Sequence, residues 1–186
     1  IAPVDEWIIA GHSMGGGIAV NIAEQNPVKA LLLYCPAPQS EFPKAMEGIM
    51  TSKLMKGFMN LFFNYGTRIP ILVKLIIYAA TMDWQFAMDY DVTGVTDATQ
   101  HDGLGGGMCE MMYRVRPTAL DKAGDIKCPV LLCQASKDII LNASMKEQMN
   151  SAFPDATTYT VEGGGHQCIE NRAEELCDVT LDFLKK

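Results

Sequence analysis

The 186-residue chain is 48% hydrophobic and 20% charged, which suits one compact domain and carries none of the biases of disordered, collagenous or disulfide-built chains. Its 15 Lys and Arg against 22 Asp and Glu give a net charge of -7, and a phosphate backbone demands a basic face, so nucleic acid is excluded as a partner. The most apolar stretch, Ile69 to Ala80, carries Lys74 and falls short of the ~20 apolar residues of a membrane span, so no transmembrane segment is expected.

In chain order, the apolar run Trp7-Ile8-Ile9-Ala10 predicts a strand, and Gly17 to Gln25 predicts a helix. Between them stands Gly11-His12-Ser13-Met14-Gly15-Gly16. A strand, a sharp turn and a helix leave the Ser13 hydroxyl at the apex of a strained bend, and Gly11 and Gly15 are expected to supply the space that bend needs. Ala30 to Tyr34 predicts the next strand, after which Pro36 and Pro38 break the chain.

About ninety residues then separate this strand from Cys128, too many for a simple crossover, so an inserted helical lid is expected over residues 39–116, with 1–38 and 117–186 forming the core. Met46, Met50, Leu54, Phe58 and Phe62 recur every four residues as the stripe of an amphipathic helix. Pro70 opens a second apolar helix over Ile71 to Met82, and Asp83 to Tyr90 reads as a short third. Thr93 to Gly107, rich in Gly, Thr and Asp, reads as loop, and helical character resumes from Met108 to Val115. The stripe suits an adaptable wall for an acyl chain, with Met46, Met50, Phe58 and Phe62 as substrate-binding candidates, although such spacing is first of all a packing signal.

Pro129 opens the short apolar run Val130 to Ala135, a buried parallel strand, and Ser136-Lys137-Asp138 leaves its carboxyl end. Thr157 to Val161 is a last β-rich run, emptying into Glu162-Gly163-Gly164-Gly165-His166. Ser13, Asp138 and His166 are therefore the candidates for nucleophile, orienting acid and base, in an order unlike that of the two main serine protease folds. Asp138 is preferred to Asp155 and Glu162 because it follows a rigid strand directly. His12, on another face of the bend, is expected to pack or hydrogen-bond, and His101-Asp102 to be solvated. Gly103 to Gly107 lacks the Lys-Ser or Lys-Thr of a phosphate loop.

On the Gly-His-Ser-Met-Gly-Gly segment, the run from Ile126 to Asp138 and the Gly-Gly-His at 164–166, the chain resembles an α/β-hydrolase of the lipase, esterase and lysophospholipase type over nearly its whole length. The resemblance implies a mostly parallel sheet flanked by helices, with the earliest strands of that fold missing ahead of Trp7. It also implies an oxyanion hole with the Met14 backbone N–H as one donor and a second donor from a loop upstream of this chain. The expected substrate is a small apolar carboxylic ester or thioester. The same elbow also serves carbon–carbon bond hydrolysis, amide cleavage and perhydrolysis, and a non-catalytic binding module is a further alternative. No cofactor is expected, and no metal, since His12, His101 and His166 pair with no cysteine at a zinc-site spacing. The bare apolar edge at Trp7 to Ala10 is expected to be covered by preceding residues or by a second copy of the chain, unless the chain folds as an independent half. Six cysteines without a Cys-x-x-Cys pair favour buried thiols and a reducing, cytoplasmic setting.

Overall fold

The computed structural model describes residues 7–38, 48–114 and 120–185. Four strands, β1 (Ile8–His12), β2 (Ala30–Tyr34), β3 (Val130–Ala135) and β4 (Thr157–Val161), form one sheet in the order β1-β2-β3-β4. All three pairings are parallel, with Ile8 opposite Ala30, Leu31 opposite Val130 and Leu131 opposite Thr157. This register brings the carboxyl ends of the strands, and the loops that leave them, to one edge of the sheet. β1 is an outer strand among the described residues, and Trp7 and Ile8 are exposed along it.

Strand residues alternate between faces, so two cores form from consecutive side chains. Leu32, Leu131, Cys133, Ala135 and Val161 pack on one face with Leu176 and Phe183 of α9 (Ala173–Leu184) and with Cys168 of the short α8 (Cys168–Asn171). Leu31, Leu33 and Leu132 pack on the other with Ala19, Val20 and Ala23 of α1 (Met14–Gln25) and with Met149 of α7 (Ala143–Ala152). Burial of β2 and β3 on both faces accounts for their unbroken apolar runs. The sheet and its flanking helices have the α/β-hydrolase architecture. All six cysteines are free, four of them buried.

The chain divides into two compact units, one of Ile1–Ser40, Ala80–Asp83 and Pro117–Lys186, the other of Glu41–Ala79 and Trp84–Arg116. The second unit is helical: α2 (Lys53–Tyr65), most of α3 (Pro70–Thr81), α4 (Trp84–Asp89), α5 (Thr93–Ala98) and α6 (Leu104–Arg114). Ala80 and Thr81, the last residues of α3, belong with the sheet unit.

Two expectations for the inserted segment are corrected. The stripe from Met46 to Phe62 does not lie on one described helix. Ser52 is extended and caps α2, its Oγ accepting from Met55 N–H at 3.2 Å, so Met50 lies ahead of a break, and Met46 is outside the described residues. Along α2 itself Leu54 is 85% and Phe58 60% exposed, so this part of the stripe does not face a packed core. The second correction concerns residues 93–107, read as loop but folded into α5 and the start of α6. Side-chain bonds from the threonines account for α5: Thr99 Oγ1 meets Thr67 Oγ1 at 2.7 Å, and Thr96 Oγ1 donates to Thr67 O at 3.0 Å. Gly105 accounts for α6, because a Cβ there would lie 2.5 Å from Asn60 N, and its absence lets α6 lie against α2. Lys56 and Glu110 pair across the same two helices. No single described helix is long and apolar enough to cross a membrane; α2 with its 3-10 extension and α3 together have the length and composition but bend by 105°.

Candidate active site

Ser13 sits between β1 and α1 at φ 54°, ψ -125°, a conformation an L residue adopts only when its surroundings impose it. They do so through the backbone. Ser13 N–H donates to Tyr34 O at 3.1 Å, and Ser13 O accepts from Gly16 N–H at 2.9 Å and Ala37 N–H at 2.8 Å. The space this bend needs comes from Gly11, as expected, and from Gly16 in place of Gly15. A Cβ on Gly11 would lie 2.6 Å from the carbonyl carbon of Gly15 and one on Gly16 would lie 2.5 Å from Pro36 Cβ, whereas one on Gly15 would meet nothing within 4 Å. Gly11 and Gly16 are therefore the sterically required residues. Met14 is the first residue of α1, where backbone N–H groups have no intrahelical acceptor and point toward the serine end of the helix.

The loops after β3 and β4 are tied together before they reach Ser13. Lys137 N–H donates to Gly164 O at 2.9 Å, and Gly163 N–H donates to Ser136 Oγ at 2.8 Å. Asp138 and His166 thereby meet: Nδ1–H of His166 donates to Asp138 Oδ2 at 2.8 Å, and Nε2 of His166 lies 2.8 Å from Ser13 Oγ. A carboxylate can only accept here, which leaves the proton on Nδ1 and makes Nε2 the acceptor for the serine hydroxyl. Asp138 Oδ1 accepts from the N–H groups of Ile140 at 2.8 Å and Leu141 at 2.9 Å. Burial pushes the Asp138 carboxyl up, but the hydrogen bond from His166, the two backbone N–H groups and the field of the imidazole outweigh it, so its pKa lies below the ordinary aspartate value. Asp155, Glu162, His101 and Asp102 are all exposed, and none of them partners His166.

Two features of the site carried no signal in the sequence, and a third had its kind of contact but not its partner expected. His12 both packs and hydrogen-bonds, as expected, and its partner is the base: its Nε2–H donates to His166 O at 2.8 Å, and the two rings lie 4.9 Å apart. Gly165 N–H donates to Thr81 O at 3.0 Å, and Gln167 N–H to Ala80 O at 2.8 Å, so both neighbours of His166 are bonded to the last turn of α3. Cys35 and Cys168 bring their Sγ atoms within 3.7 Å beside the site.

Cys35, Asp138 and His166 present potential metal-ligand atoms within 4.8 Å of one another. The fit is poor. Asp138 and His166 are committed to each other, and the hydrogen bond to Cys168 together with burial pushes the Cys35 thiol well up, keeping it protonated where a metal needs a thiolate.

With this geometry in place, the comparisons with known proteins fall into line. The family model described as "Serine aminopeptidase, S33" matches residues 2–173. The chain belongs to this family. The chain is also 27% identical over 185 residues to "Putative esterase/lipase 2" of Mycoplasma genitalium, covering 95% of this chain and 63% of that protein. It is 20% identical over 170 residues to "Putative carbamate hydrolase RutD" of Escherichia coli O157:H7, covering 90% of this chain and 61% of that protein. Among solved structures, the serine hydrolase CCSP0084 of Cycloclasticus zankles superposes with a TM-score of 0.70 at 17% identity over 98% of this chain and 65% of that one. The chain thus spans a little over three fifths of the length of these two curated relatives.

Proposed function

We propose that the protein is a serine hydrolase acting on a carboxylic ester or thioester with an apolar acyl or alcohol part. The observation that carries this reading is the imidazole of His166, bonded through Nε2 to the Ser13 hydroxyl and through Nδ1 to the buried Asp138. In the proposed reaction Ser13 Oγ attacks the carbonyl carbon as its proton passes to His166 Nε2. Asp138 holds the imidazole in the tautomer that makes this transfer productive and balances the charge it acquires. The Met14 N–H donates to the oxygen that becomes negative. His166 then gives its proton to the leaving alcohol or thiol, and water resolves the acyl-enzyme by the same steps in reverse.

Apolar preference rests on the inserted unit. Met46, Met50, Phe58 and Phe62 are proposed to set the preferred acyl length, and the exposure of Phe58 on α2 leaves its side chain outside a packed core. A second reading keeps Ser13, Asp138 and His166 in the same roles but hydrolyses a carbamate or another amide-like bond, and the likeness to the carbamate hydrolase relative favours it.

Turnover of p-nitrophenyl esters of graded chain length, beside a p-nitrophenyl carbamate, tests the proposal. Ester turnover is expected, lost by about 10⁶-fold in Ser13→Ala and in His166→Ala. Carbamate turnover exceeding that of every ester would select the second reading, and no serine-dependent turnover of either would reject both.

A further inference from the structure

His12 stands one residue ahead of the proposed nucleophile, at the carboxyl end of β1, and it reaches across to the proposed base. We propose that His12 is a positioning residue for His166, fixing the peptide that carries the imidazole in register with Ser13; this rests on the serine-hydrolase reading above. The contact attaches at the base's own carbonyl, 2.8 Å from His12 Nε2, and the two rings pack at 4.9 Å with 49° between their planes.

The His166 loop has four other anchors among the described residues, and none of them starts from the serine strand: Gly163 N–H donates to Ser136 Oγ, and three are backbone bonds. Gly165 and Gln167 bond to Thr81 and Ala80, and Gly164 accepts from Lys137. These hold the loop to α3 and to the Asp138 loop. The His12 bond alone among these five leads back to β1, the strand that runs directly into Ser13, so it closes the path between nucleophile and base outside their own contact. Proton transfer between Ser13 Oγ and His166 Nε2 depends on holding that 2.8 Å approach, and a misplacement of about 1 Å costs on the order of a hundredfold in rate.

The chemistry of the donor suits this role. A carbonyl accepts, so His12 must carry its proton on Nε2. Burial lowers the His12 pKa and outweighs the hydrogen bond to the His166 carbonyl, which raises it; the charge of His166 lowers it further while those of Asp138 and Glu170 raise it, and the net lowering keeps the ring neutral at neutral pH. A neutral donor anchors the loop without placing a positive charge beside the imidazolium that His166 becomes during turnover. Lysine or arginine could supply a donor but would oppose that charge.

His12→Phe keeps a ring in place and removes the N–H; His12→Gln keeps an N–H donor at similar reach and removes the ring. With p-nitrophenyl butyrate, kcat of the Phe variant is expected to fall about tenfold to a hundredfold while KM stays within about twofold, and the Gln variant is expected to regain most of the loss. The low-field proton resonance of His166 Nδ1–H should broaden or shift in the Phe variant and persist in the Gln variant, a readout that does not depend on turnover. His12→Met, unbranched and of similar length to Gln but without a donor, replaces Phe if the Phe variant does not fold. A donorless variant with the parent's kcat and an unchanged resonance overturns the proposal. So does an equal loss in the Gln and donorless variants, which would make His12 a packing residue. If the resonance behaves as expected but Ser13→Ala hydrolyses the ester as fast as the parent, the hydrolase reading fails while the positioning contact stands.

Discussion

Gly165 donates its N–H to the carbonyl of Thr81 at 3.0 Å, in an approach so close that a Cβ on Gly165 would lie 2.7 Å from the Thr81 carbonyl carbon. The atoms in the way are backbone, so the loop rather than a side-chain tip must move. Gly165→Ala is therefore expected to shift His166 relative to Ser13 and to lower kcat on p-nitrophenyl butyrate by about tenfold to a hundredfold, with a smaller change in KM. Steady-state kinetics check it, and an unchanged kcat would show that the loop absorbs the methyl group without moving the imidazole.

The glycines around Ser13 make a sharper stability prediction. Gly15→Ala meets nothing within 4 Å and lies inside α1, where alanine is the better helix former by about 1 kcal/mol, so this variant is expected to be as stable as the parent or more so. Gly11→Ala and Gly16→Ala drive a methyl group into Gly15 and Pro36 and should each cost about 1–3 kcal/mol. Urea denaturation of the three variants ranks them directly.

Asp138 supports a pH-dependent contribution whose sign is fixed. Its folded pKa lies below the ordinary value, so the folded state holds the carboxylate better than the unfolded chain does. The contribution is present in full above the unfolded pKa, near 3.8, and is lost as pH falls through the folded value. Asp138→Asn is accordingly expected to be less stable than the parent at pH 7, by about 1–3 kcal/mol, with the gap closing below about pH 4. Thermal unfolding of both proteins from pH 7 down to pH 3 reads this; a gap that widened on acidification would reverse the assignment.

Much of the sheet unit was legible because its signals are local. Apolar runs mark β2 and β3 to the residue, the Thr- and Tyr-rich run ahead of Glu162-Gly163 marks β4, and the Gly-His-Ser-Met-Gly-Gly segment marks the bend at Ser13. The long interval between β2 and β3 reads as helical for the same reason, from spacing alone. Other features depend on partners far away in the chain and leave no local pattern. Gly16 matters because Pro36 packs on it, and Gly105 because Asn60 does, while Thr93 to Thr99 form α5 through hydroxyl bonds to Thr67 that no window around residue 96 contains. His12 reads as a packing or hydrogen-bonding residue, but its partner stays hidden until the fold closes the 154-residue gap to His166. The anchors at Ala80 and Thr81 are carbonyls, which every residue has, so no residue type could have announced them.

The central claim is that Ser13 is the nucleophile activated by His166, and the most direct test is covalent capture. Incubate the protein with a fluorophosphonate, digest it, and locate the adduct by mass spectrometry. One adduct is expected, on Ser13 in the peptide spanning Gly11 to Gly16, absent from Ser13→Ala and formed much more slowly in His166→Ala. Labelling of Ser13→Ala as strong as that of the parent, or an adduct on another residue, would contradict the account.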